Sequence, residues 1–403
     1  MKPGFFRLSS LLLTVCLLSI AAAAQDLAPP APQRLVVHSN VLDEDRTVLV
    51  RTPRTYDQGK DPLPVLYLTD GPDHINEIGS TIDFLVAHDR MPPLIVVGIA
   101  NTDRTRDLTP SRAGDKNPDG TLVNPSSGGA DRFLDFIQKE LMPEIEKRYR
   151  TTPYRIFAGH SLGGLLAIHI LTTRPEMFQA YIAVSPSLQW DNQRALHAAQ
   201  QFFAAHTELS KTLFFSLASE RDAAMIGGFE DLRKTLRRRA PEKFHWDSAR
   251  YLDEDHGSTV LRAHYAGLRT IFADWQVSQD ADTGLPAGGL NGVERHYREL
   301  SQRYGYQVAV PENLLNNLGY QFMGMKRLDE AIAVFQRNVE LYPGSANVYD
   351  SLGEGLETAG KFDLATQRFQ KAIEVGTMTD DPNLGQYKDH LKRVTAEKAG
   401  RHK

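Results

Sequence analysis

Cysteine is nearly absent from this chain: its 403 residues hold one, Cys16, close to the N-terminus. Downstream of it no disulfide can form and no thiol can act as a nucleophile. Charge of one sign is lacking as well. Lys and Arg number 46 against 50 Asp and Glu, a formal charge of −4, which offers no footprint for nucleic acid or another polyanion. Metal-ligand spacings, a phosphate-cradling glycine loop and a dinucleotide fingerprint are missing too, so neither a metal nor a cofactor is expected. The apolar run at residues 11–20 is too short to span a bilayer as a stable anchor.

That run instead fits an export leader over residues 1–24. Lys2 and Arg7 form its positive end, and Ala22 to Ala24 form an AxA cleavage site before Gln25. Cys16 would suggest lipid attachment, but Val15 stands before it where a small residue is wanted. Losing Lys2 and Arg7 with the leader takes the formal charge from −4 to −6. An exported protein is expected, periplasmic or secreted, with no membrane contact after cleavage. With 41% hydrophobic and 24% charged residues, the remainder is globular and long enough for two domains.

After a Pro- and Ala-rich stretch at 27–32, residues 35–38 and 47–51 read as two antiparallel strands joined near Asp43 to Asp45. The segments PVLYL (64–68) and LIVVGI (94–99) are almost uniformly apolar, as strands buried on both faces of a parallel sheet are. A short helix at 78–89 separates them. Residues 101–130 are polar, rich in Gly and Pro, and too long for a simple connection, which predicts an irregular insertion overhanging a site. Its Arg104 and Arg106 are either solvated loop charges or contacts for an anionic substrate group. Apolar residues at helical spacing mark a helix at 131–149. Strands at 154–158, 181–184, 212–217 and 244–251 then alternate with helices at 165–173, 193–206, 229–239 and 258–275. The alternation implies an α/β, doubly wound, mostly parallel sheet over residues 33–277.

Within it, GHSLGG (159–164) contains GxSxG between a strand and a helix. A serine on so sharp a turn exposes its hydroxyl above the sheet edge, beside a helix N-terminus that favours an anion. Ser161 is therefore the candidate nucleophile. It needs a base and a group to orient that base, both outside the carboxyl ends of the strands. The strand at 212–217 ends in ASERD, offering Glu220 and, as the alternative acid, Asp222; the strand at 244–251 ends in DEDHGS, offering His256. Asp253 and Asp255 are further candidates for the acid. The order Ser161, Glu220, His256 is the one this architecture uses. Neutral His256 would take the proton from Ser161 as it attacks a carbonyl carbon, and the carboxylate would fix its tautomer. His160, inside the elbow, reads as a structural or pocket residue. One oxyanion donor should be the Leu162 N–H, the other an N–H of the loop TDGPDHI after the strand at 64–68.

YLTDG, the insertion with RDLTP, GHSLGG, VSPSLQW, LASE and DHGS, in that order, resemble the esterase family of α/β-hydrolases that contains enterochelin-type siderophore esterases, feruloyl esterases and the mycolyl-transferring antigen 85 proteins. The resemblance covers roughly residues 35–275 and is greatest to the siderophore-esterase branch. It implies a serine carboxylic ester hydrolase acting on a small-molecule ester, with Ser161, His256 and Glu220 in the roles above. In some relatives the residue after DG donates the second oxyanion N–H; here it is Pro72, which has none, so the resemblance shifts that donor to Gly71 or Asp73. By the same analogy His74 and Trp190, with His160, line the substrate pocket.

Past Trp275 the composition changes. Residues 278–292 have linker composition, and a helix is expected at 293–304. Leu318 and Gly319 then recur as Leu352 and Gly353, Ala331 as Ala365, and Phe335 as Phe369, each a shift of 34 residues. That is the tetratricopeptide period, and it predicts an all-α domain over 293–385 with two repeats at about 312–345 and 346–379, available for a protein partner or self-association. A basic tail at 386–403 is expected to be a solvated helix end. An exported esterase with repeats as an accessory competes with a non-catalytic scaffold built on the same fold, and with an acyltransferase that uses an alcohol in place of water.

Overall fold

The structure, a computed structural model, describes residues 31–57 and 59–401. The expected export leader, with Cys16, lies outside the described residues. Among those described, no helix is long and apolar enough to cross a membrane. The chain divides into one unit ending at Trp275 and a second beginning at Gln276.

The first unit is built on eight strands: β1 (Gln33–Ser39), β2 (Glu44–Arg51), β3 (Leu63–Leu68), β4 (Ile95–Ile99), β5 (Thr151–His160), β6 (Ala180–Val184), β7 (Thr212–Ala218) and β8 (His245–Tyr251). They form one sheet in the order β1-β2-β4-β3-β5-β6-β7-β8. The β1–β2 and β2–β4 pairs are antiparallel, and all the others are parallel. Every residue of β4, β6 and β7 is buried, as continuous apolar runs covered on both faces must be. Edge strand β8 alternates more polar residues instead.

The helices of this unit are α1 (Gly71–Ala87), α2 (Arg104–Leu108), α3 (Ala130–Phe136), α4 (Met142–Arg148), α5 (Leu162–Thr173), α6 (Trp190–Ala205), α7 (Ala223–Arg239) and α8 (Thr259–Ile271). Helices α1 and α8 pack side by side on one face, and α5, α6 and α7 in sequence on the other. The central helix α5 buries Leu165, Leu166, Ile168, Ile170 and Leu171, each worth about 2 kcal/mol of transfer free energy, which fixes its first turn firmly at the sheet edge.

Two expected helices differ for local reasons. The helix expected at 78–89 begins at Gly71, because Pro72 in its first turn has the preset φ of a helix start and no N–H to satisfy. The single helix expected at 131–149 is broken by a π-helical turn at Ile137–Leu141, just before Pro143, whose missing N–H and ring exclude an ordinary i to i−4 turn there. The insertion at 101–130 is irregular apart from α2 and the isolated bridge between Lys116 and Leu122.

The second unit is all helical: α9 (Gly289–Tyr304), α10 (Glu312–Gly324), α11 (Leu328–Leu341), α12 (Ala346–Thr358), α13 (Phe362–Thr379) and α14 (Leu384–Arg401). The 34-residue shift reappears as packing. A Cβ at Gly319 would lie 2.4 Å from the Phe335 ring, and one at Gly353 would lie 2.5 Å from the Phe369 ring, so each helix pair closes over an aromatic that only glycine admits. The basic tail departs from expectation. As α14 it packs along α13 and buries Tyr387, His390 and Val394, because its apolar positions fall on one face between the lysines. His390 donates from Nδ1 to both carboxylate oxygens of buried Asp350, at 2.9 and 3.1 Å. These two and Glu354 bring an N, O, O donor set together, but His390 Nδ1 is already used and Arg393 stands 3.9 Å from Glu354, so the acids have their counter-charge within the unit.

Candidate active site

The strand-to-helix turn at Ser161 forms because the residues around it have almost no side chain. A Cβ at Gly159 would lie 2.3 Å from the Gly163 carbonyl oxygen, and one at Gly163 would lie 2.3 Å from Thr69 Oγ1, so β5, α5 and the end of β3 meet only through glycine. Ser161 itself holds φ 60° and ψ −113°. A non-glycine residue keeps so sparsely populated a conformation only where its surroundings over-determine it, and such strain clusters at functional sites. Here the Ser161 N–H donates to Val184 O at 2.9 Å, and its C=O accepts from the N–H groups of Leu165 at 3.0 Å and Ser187 at 3.1 Å. Its Oγ meets Ser187 Oγ at 3.3 Å.

The loop after β7 carries Glu220 and the loop after β8 carries His256. His256 Nδ1–H donates to Glu220 Oε1 at 2.6 Å, with the carboxylate mostly buried and the imidazole side chain 41% exposed. This leaves Nε2 as the nitrogen free to accept a proton. The other candidate acids are engaged elsewhere. Asp222 caps α7, its Oδ1 accepting from Ala224 N at 2.8 Å and Met225 N at 3.3 Å. Asp255 Oδ1 accepts the N–H groups of Gly257 at 2.9 Å and Ser258 at 2.7 Å, and Asp253 pairs with Arg262 at 2.7 Å. No hydrogen bond joins Ser161 and His256; in unliganded sites such contacts are often long and tighten with substrate.

Leu162 is the first residue of α5, so its N–H has no partner one turn back and points into the elbow's anion-favouring end. Across from it, Asp70 adopts φ 54° and ψ 39° and turns the chain into α1. The Asp73 N–H is spent on Asp70 O at 3.0 Å, which leaves Gly71 as the better placed of the two expected donors.

Arg104 and Arg106 are both ion-paired within the protein, so neither is a solvated loop charge. Arg104 binds Asp70 through Nε at 2.7 Å and Nη2 at 3.1 Å, and its Nη2 also donates to His160 O at 3.1 Å. Asn101 adds a 2.6 Å hydrogen bond to Asp70. Burial raises the Asp70 carboxyl, but the Arg104 hydrogen bonds and charge outweigh it and hold the group below its ordinary value. Arg106 binds Glu44 and Asp107, and Asp107 also takes buried Arg46 at 2.6 Å, tying the insertion to β2. Trp190 donates from Nε1 to Ser111 O at 3.0 Å, which fastens the insertion to the start of α6.

His160 turns out to support the other histidine. Its Nε2–H donates to His256 O at 2.7 Å, and the two rings lie against each other with centroids 4.6 Å apart and planes tilted by 46°. His74 packs edge-on against both His160 and fully buried His264, whose Nδ1 is paired with Glu77. Burial, and then the nearby His256, push the His160 imidazole down to about 4. Burial and His264 likewise lower His74.

The His160 shift sets a pH dependence. Its folded value lies below the 6.5 of an ordinary histidine, so between about pH 6.5 and 4 the unfolded chain takes up a proton that the folded site refuses. Stability from this group is complete above pH 6.5 and falls with pH. At pH 4.5 the loss should be about 2 kcal/mol. Denaturant midpoints at pH 7 and 4.5 should therefore fall less in His160→Gln than in wild type; parallel curves would count against it.

A cavity of about 640 Å³ lies away from Ser161, on the flank between α1 and α8, walled by Phe84, Tyr251, Leu261 and Tyr265. The turn at Ser161 and the loops that carry His256 and Glu220 lie instead at the carboxyl edge of the sheet, where this architecture places its chemistry.

The family model described as "Putative esterase" matches residues 39–265, more than half of the chain. The chain belongs to this family of carboxylic ester hydrolases. It is 30% identical over 255 residues to the siderophore triacetylfusarinine C esterase of Aspergillus fumigatus, a match spanning 55% of this chain and 85% of that one. It is 35% identical over 175 residues to the ferri-bacillibactin esterase BesA of Bacillus subtilis, covering 39% of this chain and 58% of the relative. Among solved structures it resembles an IroE-like serine hydrolase from Shewanella oneidensis, with a TM-score of 0.67 and 29% identity over 77% of this chain and 99% of that one. The match to the esterase family ends within α8, short of the second unit.

Sequence reading named Ser161, His256, Glu220 and Leu162 without seeing what surrounds them. It missed the Asp70–Asn101–Arg104 bridge, the His160 bond to His256 and the approach of Ser187. Only a Ser-Pro-Ser run directly after β6 offered a signal for the last.

Proposed function

We propose that this protein is an exported serine esterase that cleaves a siderophore-type carboxylic ester through an acyl-serine intermediate. The observation that carries this reading is the 2.6 Å His256–Glu220 pair at the sheet edge that also presents Ser161 on its strained turn. Glu220 holds a proton on Nδ1 and so turns the Nε2 lone pair toward the substrate side, where it takes the Ser161 proton as Oγ attacks the ester carbonyl. The oxyanion that forms is met by the Leu162 N–H and the Gly71 N–H. The imidazolium then protonates the departing alkoxide. Water enters and gives a proton to Nε2 as its oxygen bonds to the acyl carbon; the C–Oγ bond then breaks, the acid leaves, and the imidazolium proton returns to Ser161 Oγ. The substrate class follows the siderophore esterases that the chain resembles. The helical second unit serves as a tetratricopeptide-type surface for a protein partner or a second copy.

Incubating the purified protein with triacetylfusarinine C, ferri-bacillibactin, methyl ferulate and p-nitrophenyl acetate, with products read by mass, tests this reading. A siderophore ester gaining one water, at a kcat/KM at least about tenfold above that for p-nitrophenyl acetate, is expected. Turnover confined to the ferulate or the acetate would overturn the substrate class. Acyl transfer to an added alcohol in preference to water would make the protein an acyltransferase.

A further inference from the structure

Three separate segments must be held in register for the proposed reaction: the turn after β3 that offers the Gly71 N–H, the elbow at Ser161, and the loop that carries His256. We propose that Arg104 and His160 are positioning residues that lock these three segments into one rigid site; the inference rests on the serine-esterase reading above. Arg104 stands at the first turn of α2, inside the insertion, and its planar fork spans two of the segments. Nε and Nη2 grip Asp70, the residue whose left-handed φ of 54° aims the Gly71 N–H, while Nη2 also holds the carbonyl of His160, the residue before the nucleophile. His160 completes the chain by donating from Nε2 to the His256 carbonyl at 2.7 Å. The bridge therefore runs Asp70, Arg104, His160, His256, Glu220 without a gap longer than 3.1 Å.

The chemistry explains why these residue types are needed. A guanidinium has enough fixed donors to serve a carboxylate and a carbonyl at once, whereas an ammonium is a point donor and can serve only one of them well. The Arg104 side chain is 33% exposed and Asp70 is 6% exposed, so the pair is screened only in part. A neutral histidine at 160 supplies one N–H without adding a positive charge against the adjacent ring of His256, 4.6 Å away, which must itself become cationic during the reaction. Neither residue touches the reacting atoms in this scheme, and both act through others.

The test uses the full-length protein, p-nitrophenyl acetate turnover and fluorophosphonate labelling. Arg104→Ala should lower kcat by about 100-fold while KM changes little, since displacing a catalytic group by about 1 Å has an effect of that order. Millimolar guanidinium should restore at least about a tenth of the lost rate in Arg104→Ala and do nothing for wild type, a response that a merely structural role would not give. Arg104→Lys should fall between the two. His160→Gln, which keeps an N–H, should stay within about threefold of wild type, while His160→Ala should fall like Arg104→Ala. An Arg104→Ala variant with wild-type kcat, or one whose loss neither guanidinium nor lysine recovers, overturns the clamp. If Arg104→Ala does not fold, the Gln and Ala variants of His160 decide: equal rates overturn it, and a gap of tenfold or more supports it. Wild type that neither turns over nor labels would instead sink the serine reading itself.

Discussion

Ser161→Ala should reduce ester turnover by a factor of about 10⁴ or more and abolish labelling by a fluorophosphonate probe, with the melting temperature unchanged or raised. The size follows from what the hydroxyl does in the proposed reaction. There Oγ is the atom that becomes acylated, so its loss would remove the two-step route altogether and leave only the proposed oxyanion donors and His256 to assist direct attack by water. In serine hydrolases that residue of catalysis still exceeds the uncatalysed rate by about 10³-fold, so measurable background is compatible with the assignment. The stability expectation comes from the backbone. Ser161 holds φ 60° and among the described residues its Oγ makes a single hydrogen bond, 3.3 Å to Ser187, so removing the hydroxyl breaks little while the turn stays held by Val184, Leu165 and Ser187. Ser161→Gly would relieve the positive φ as well and should raise the melting temperature further. Intensity of labelling on a gel, paired with a thermal melt, reads both effects. Labelling that persists in Ser161→Ala would move the nucleophile elsewhere.

The parts of this molecule that were legible in sequence are those fixed by local pattern. The apolar runs of β3, β4, β6 and β7 announce strands buried on both faces, and GHSLGG between a strand and a helix announces the turn at Ser161. Chain order pointed to the loops that carry Glu220, Asp222 and His256, because in a doubly wound sheet the strand ends after the elbow come back to the same edge; only the fold shows that Glu220 pairs with His256. What could not be read is contact between segments distant in sequence. Arg104 and Asp70 are 34 residues apart and His160 and His256 are 96 apart, and no periodicity links either pair. A charged residue in a polar insertion looks solvated until the fold shows the carboxylate it meets. The tail misled for the opposite reason: the lysines dominate its composition, while the burial of Tyr387, His390 and Val394 depends on a neighbouring helix.

Glu220→Gln should lower kcat by about 10² to 10⁴-fold, whereas Asp222→Asn should leave it within about threefold of wild type. The two carboxylates sit two residues apart in the same loop, and sequence alone gives either a claim to the role. Geometry separates them. The Glu220 carboxylate accepts the Nδ1–H of His256 at 2.6 Å, so an amide there can present its N–H to Nδ1, draw the proton to Nε2 and leave no lone pair facing Ser161. The variant also loses the negative charge that stabilises the imidazolium. Asp222 accepts from Ala224 N and Met225 N at the start of α7, a duty that asparagine performs nearly as well. Its effect should therefore appear, if anywhere, as a small drop in melting temperature of the kind a weakened helix cap produces. Steady-state rates for both variants at pH 7, with a melt for each, distinguish the roles. A large loss of kcat in Asp222→Asn with Glu220→Gln near wild type would reverse them, and equal losses in both would mean that the loop's conformation, held in part by the α7 cap, matters as much as the carboxylate it delivers.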